Sequence, residues 1–143
     1  MLLDRFVEGR VSRVSPEAPV PVLHYGGSRM HLGGAGNVAA NILAYGAAVT
    51  LVALSGKDED ADELLGLCAG FHRLTPRFVP DPGRPTTVKT RYLAGWHQLL
   101  RVDAESTRPA SPSIRAEIVA GARAALGESD IVVLSDYAKG VLD

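Results

Sequence analysis

Two short runs of almost uninterrupted apolar residues stand out along the chain, at 49–54 and 131–134. Each has the pattern of a strand buried on both faces of a parallel sheet. Around them the apolar period lengthens to that of helices. Residues 37–45 place Val38, Ile42 and Tyr45 on one side, and Gly46 follows as a stop. Residues 60–69 are amphipathic with acidic side chains in the first turn, as the helix dipole prefers. Residues 114–126 form a third helical stretch, entered through Ser111-Pro112-Ser113 and capped by Gly127.

Elsewhere the pattern is that of strands. Arg77-Phe78-Val79 is a short one, followed by the turn Pro80-Asp81-Pro82-Gly83. Residues 86–93 and 98–103 read as two strands joined by the hairpin Ala94-Gly95-Trp96-His97. Residues 11–32 are rich in Val and Pro without a helical period. Val20, Val22 and Leu23, bracketed by Pro19 and Pro21, predict an edge strand. His24-Tyr25-Gly26-Gly27-Ser28 predicts a turn into a second strand. Strands alternating with helices give an α/β fold with right-handed crossovers. Segments 11–32 and 86–103 are expected to form a small β-sheet apart from the main one.

The candidate chemistry begins at His31-Leu32-Gly33-Gly34-Ala35-Gly36-Asn37-Val38-Ala39. Glycines that run directly into a helix let a backbone approach a ligand, and the helix start offers free N–H groups. Asn37 falls in the first turn, where its amide can donate to and accept from a polyhydroxylated ligand. A plain loop before a helix is the simpler explanation of such a cluster. A dinucleotide fingerprint fits Gly34-Ala35-Gly36-Asn37-Val38-Ala39 by spacing, but it requires a buried strand immediately before it, and Ser28-Arg29-Met30-His31-Leu32 is not one.

Composition narrows the classes. At 143 residues, 46% apolar and 22% charged, the chain suits one globular domain. A net charge of −1 with no basic block gives no reason to expect nucleic acid or an anionic membrane as partner. Cys68 is the only cysteine, expected in the core, and a reducing cytoplasm fits. No run is long enough for a membrane helix, and no secretory signal is expected. The histidines show no metal-ligand spacing, so no metal site is expected on this chain.

Gly33, Gly34, Asn37 and Ala39 fill the G-G-x-x-x-N-x-A pattern of the ribokinase-like (PfkB) carbohydrate kinases, which the chain resembles. Ser12-Arg13-Val14-Ser15-Pro16-Glu17-Ala18-Pro19-Val20-Pro21-Val22 and Leu134-Ser135-Asp136-Tyr137-Ala138-Lys139-Gly140-Val141-Leu142 are similar to segments of the bacterial heptose-7-phosphate kinases. The resemblance implies a ribokinase-like central, mostly parallel sheet flanked by helices, with the small sheet as a lid. It implies phosphoryl transfer from ATP, with Mg²⁺, to the anomeric hydroxyl of D-glycero-D-manno-heptose 7-phosphate for lipopolysaccharide core synthesis. It also implies a homodimer paired through the lid. A kinase for another sugar phosphate or a nucleoside, or a non-catalytic sugar-binding or assembly module, are the other readings.

Residues 1–143 are expected to be the N-terminal part of one kinase domain, with a preceding strand missing before Met1 and the catalytic aspartate and nucleotide site beyond residue 143. No turnover is expected from these residues alone. Asp4, by the resemblance, holds sugar hydroxyls; alone it would pass for a solvated charge. Lys89 and Arg91 share a strand face and suit a sugar phosphate, Arg by its bidentate fork and Lys as a point charge; a solvated face is the simpler alternative. Gln98 is a candidate hydroxyl contact, and Asp103 a partner for Arg101. Asp136 and Lys139 follow the apolar run 131–134, at the strand end where open α/β sheets place ligands.

Overall fold

A computed structural model describes residues 1–142. Its longest strands are at the N-terminus. Strand β1 (Leu2–Val14) turns back through residues 15–20 into β2 (Pro21–Gly33). Helix α1 (Ala35–Ala44), β3 (Val49–Ser55), α2 (Glu59–Ala69) and β4 (Leu74–Pro80) follow, then the hairpin β5 (Thr87–Ala94) and β6 (His97–Ala104), then α3 (Pro112–Leu126). The strands form two sheets. One is four-stranded in the order β2-β1-β5-β6, with β1 and β5 parallel and both outer pairs antiparallel. The other is the parallel pair β3-β4.

The helices end where the local chemistry dictates. Gly34 at φ 56° opens α1, a left-handed conformation suited to glycine. Asp58 caps α2, its carboxylate accepting from the Ala61 N–H at 3.0 Å. Ser111 caps α3 in the same way. The two sheets meet over α2, where Leu3, Leu32 and Val88 pack with Leu64 and Cys68. Cys68 is buried, as expected. Asp58 ties the same corner together: it also accepts from the Thr86 hydroxyl at 2.6 Å and the Thr86 N–H at 2.8 Å. Burial works against the Asp58 charge, but these hydrogen bonds from Thr86 and Ala61 hold its carboxyl below the usual range. No helix among the described residues is long and apolar enough to cross a membrane.

Four expectations are corrected. Residues 2–14 are a strand, where no element was expected before residue 11. The turn lies at 15–20, closed by Ser15 N–H to Val20 C=O at 2.8 Å, not at His24-Tyr25-Gly26-Gly27-Ser28, which runs inside β2. The glycines there mark a register shift between Glu8 and Gly9: a Cβ on Gly9 would collide with the His24 carbonyl. Residues 131–134 are not a strand. Their side chains are exposed, and among the described residues no strand pairs with them. Tyr45 is 93% exposed, and the buried face of α1 is formed by Gly36 and Ala39. Small residues let that helix sit close to β2 and β3, while Val38, Ile42 and Leu43 stay half-buried.

The Met1 amino group is buried and donates to the Leu54 carbonyl at 2.9 Å. Desolvation, with the Arg84 charge second, lowers its pKa from 8.0 to about 6. Between pH 8 and pH 6 the unfolded chain therefore takes up a proton that the folded chain does not. For a polypeptide beginning at Met1, stability should fall by on the order of 2 kcal/mol across that window. Urea denaturation at the two pH values checks this, and Nα-acetylation should remove the difference.

Candidate functional site

Paired residues of neighbouring strands put their side chains on one face, so the register defines a surface. In the four-stranded sheet, one face carries His31 and Arg29 from β2, Asp4, Phe6 and Glu8 from β1, Lys89 and Arg91 from β5, and Arg101 and Asp103 from β6. The opposite face carries Leu3, Leu32 and Val88, which seal against α2. One face is therefore apolar where it meets the core, and the other carries most of the sheet's charged side chains around Phe6.

Asp4 lies at the centre of the charged face. Its carboxylate pairs with the Arg91 guanidinium, 87 residues away in sequence. Its Cγ would stand 3.0 Å from a Cβ on Gly33, and the same Cβ would overlap the Leu2 side chain. Glycine at 33 is thus what lets the carboxylate lie against the chain as it turns into α1. Gly34 completes the turn, and the Tyr137 ring approaches it, so the 135–140 loop reaches the same corner. Phe6 holds the cations in place: Arg29 and Arg91 lie 5.1 and 5.2 Å from its ring centroid, and His31 meets its edge at 5.7 Å.

A second cluster adjoins the first. The Lys89 ammonium donates to Asp103 at 2.7 Å and to Glu105 at 3.1 Å. Glu105 also accepts from Lys139 at 3.0 Å, and Arg101 donates to both Asp103 oxygens. The hydrogen bond to Asp103, opposed by partial burial and aided by Glu105, raises the Lys89 pKa. Hydrogen bonds from Lys139 and then Lys89 lower that of Glu105.

The structure therefore brings Asp4, Gly33, Gly34, Lys89, Arg91 and Lys139 to one side of the sheet. Asn37 stands exposed in the first turn of α1, its N–H bonded to the Gly34 carbonyl. Gln98 is exposed opposite Leu93 beside the hairpin, four positions along β5 from Lys89. Asp136 is exposed, and its carboxylate accepts from the Ala138 N–H at 2.8 Å. Neither of these two joins the clusters. Arg29, Phe6 and Glu105 do, and sequence reasoning passed over them. The signal for Arg29 and Phe6 was the alternation with Asp4 and His31, readable only once β1 is known to be a strand. Among the described residues no group of three or more His, Cys, Asp or Glu is arranged to hold a metal ion.

No family model matches the chain. Its sequence is similar to that of proteins named "Bifunctional protein HldE". That of Azorhizobium caulinodans is 48% identical over 143 residues, covering 99% of the chain and 30% of that protein. That of Caulobacter vibrioides is 48% identical over 142 residues, again 99% of the chain and 29% of that protein. The chain thus spans about 30% of the length of these relatives. Among solved structures, a putative phosphofructokinase from Staphylococcus aureus superposes with a TM-score of 0.66 at 10% identity, over 83% of the chain and 36% of that structure. A carbohydrate kinase from Agrobacterium tumefaciens gives 0.59 at 18% identity, over 82% and 39%. The shared fold is that of the ribokinase-like sugar kinases.

Two glycine substitutions separate close approach from open space. Gly33→Ala drives a methyl into Leu2 and Asp4 and should cost about 1–3 kcal/mol. Gly66→Ala, inside α2 with nothing within 4 Å, should stabilise by about 0.8–1 kcal/mol. Thermal denaturation of the two variants checks the opposite signs.

Proposed function

Because the chain has the fold of the ribokinase-like sugar kinases and belongs with the HldE proteins in sequence, we propose that it carries the sugar site of a cytoplasmic heptose-phosphate kinase. The reaction is transfer of a phosphoryl group from ATP to the anomeric hydroxyl of D-glycero-D-manno-heptose 7-phosphate, giving the 1,7-bisphosphate used for lipopolysaccharide core synthesis. The observation that carries this reading is the Asp4 carboxylate seated against Gly33 on a charged sheet face, beside a glycine turn that starts a helix. A carboxylate accepts two hydroxyl hydrogens at once, which suits a vicinal diol. The exposed Asn37 amide lies one turn away and adds both a donor and an acceptor.

Phosphoryl transfer depends on positioning and charge neutralisation more than on covalent chemistry. In this reading the chain's residues do the first part. Asp4 and Asn37 fix the sugar hydroxyls, and Lys89 and Arg91 meet the existing phosphate. Mg²⁺ would neutralise the nucleotide phosphates, but the described residues offer no carboxylate group arranged to hold it, so no step is assigned to it on this chain. The four-stranded sheet serves as the lid, over the segments 11–32 and 86–103 together with the outer part of β1. Leu100 and Val102 on β6 are 57% and 48% exposed, and a second copy covering that apolar side of the lid would make the enzyme a homodimer.

A coupled assay of the full-length gene product tests the substrate. Heptose 7-phosphate should support ADP release and fructose 6-phosphate should not; the reverse preference would overturn the assignment. Arg91→Ala should raise KM for the sugar phosphate by roughly tenfold or more, the size of a lost charge-assisted contact. Unchanged KM in both Arg91→Ala and Lys89→Ala would remove these residues from the phosphate site.

A further inference from the structure

We propose that Glu105 is an internal competitor of the substrate phosphate, its carboxylate occupying the place between Lys89 and Lys139 that an oxygen of that phosphate takes. The inference rests on the reading that Lys89 faces the sugar phosphate, and it adds Lys139 to that site. A single oxygen, Oε2, accepts from both ammonium groups, at 3.1 and 3.0 Å. One acceptor oxygen between two ammonium groups is the geometry a bridging phosphate oxygen would have.

The two lysines are firmly based. Lys89 sits in β5, paired on both sides. The Lys139 carbonyl accepts from Arg84, whose side chain is 7% exposed, at 3.0 Å, and the Gly140 carbonyl accepts from the Ala110 N–H at 2.8 Å. Asp103, the other carboxylate on Lys89, lies within β6 directly opposite Lys89 and is gripped through both oxygens by Arg101. Glu105 lies past the end of β6, outside any strand. It is therefore the exchangeable member. The Lys89, Lys139 and Glu105 side chains are 18, 23 and 26% exposed, so a ligand can reach them from solvent.

Exchange selects by charge. A phosphate monoester carries about −1.5 to −2 charges at pH 7 and three acceptor oxygens, more than the carboxylate it displaces. A neutral sugar has nothing to offer the lysines, and a monoanion gains nothing over Glu105. Glu105 thus occupies the two ammonium groups until the phosphate arrives, and its displacement weakens phosphate binding while leaving a neutral sugar unaffected.

Glu105→Gln tests this, because the amide keeps the size and an acceptor but loses the competing charge. In the full-length protein, calorimetric titration with heptose 7-phosphate should show about tenfold tighter binding by Glu105→Gln than by the wild type, a change of 1.4 kcal/mol. Glu105→Ala should change affinity in the same direction, and the unphosphorylated heptose should bind both variants as it binds the wild type. A purely structural spacer predicts the opposite sign, so weaker or unchanged phosphate-sugar binding by folded variants, verified by thermal denaturation, overturns the inference while leaving the functional reading in place. Wild-type protein that binds no sugar phosphate overturns that reading and the inference with it.

Discussion

Leu2 to Gly9 lie beside Thr87 to Ala94 in parallel register, and no short connection makes such a pair. The chain must travel through β2, α1, β3, α2 and β4 before β5 returns to β1. The contact forms because both strands share one apolar side: Leu3 and Val88 are buried against Leu64 and Cys68 of α2. Burying such side chains is worth roughly 1.5–3 kcal/mol each, so this small cluster is the main force holding the two ends of the site together. Once it is made, the register alone places Asp4 beside Lys89 and within reach of Arg91.

The other face of the same pairing shows why the site is charged yet well ordered. The cations on it meet carboxylates: Arg29 with Glu8, Arg91 with Asp4, Arg101 with Asp103, Lys89 with Asp103 and Glu105, and Lys139 beside them with Glu105. Partly exposed pairs of this kind add little stability, about 0–1 kcal/mol each. What they provide is position. They hold long side chains in place before any ligand arrives, which lowers the ordering cost of binding.

The helices and the strands β3, β5 and β6 were legible because their signals are local: a period, a cap, a hairpin. The glycine turn into α1 was legible for the same reason, and with it Gly33, Gly34 and Asn37. Strand β1 was not. Asp4, Arg5 and Glu8 interrupt both of its faces, and their partners Arg91, Asp60 and Arg29 lie far off in sequence. Gly26 and Gly27 carry turn composition but lie inside β2, where Gly26 packs against the backbone of Glu8 and Gly9 in β1. Residues 131–134 have a buried strand's composition, but no described strand pairs with them, and strand identity is a property of the pairing and not of the run. Glu105 could not be found from sequence, because its meaning depends on two lysines that only the fold brings together.

We propose that Asp4, fixed by the β1–β5 pairing and the glycine turn, binds the sugar. Asp4→Asn removes the charge and one acceptor while keeping the shape. Equilibrium binding to the full-length protein should then lose roughly tenfold or more in affinity for heptose 7-phosphate, the size of a lost charged hydrogen bond, with ATP affinity unchanged. A folded Asp4→Asn variant that binds the sugar phosphate as tightly as the wild type would contradict the account.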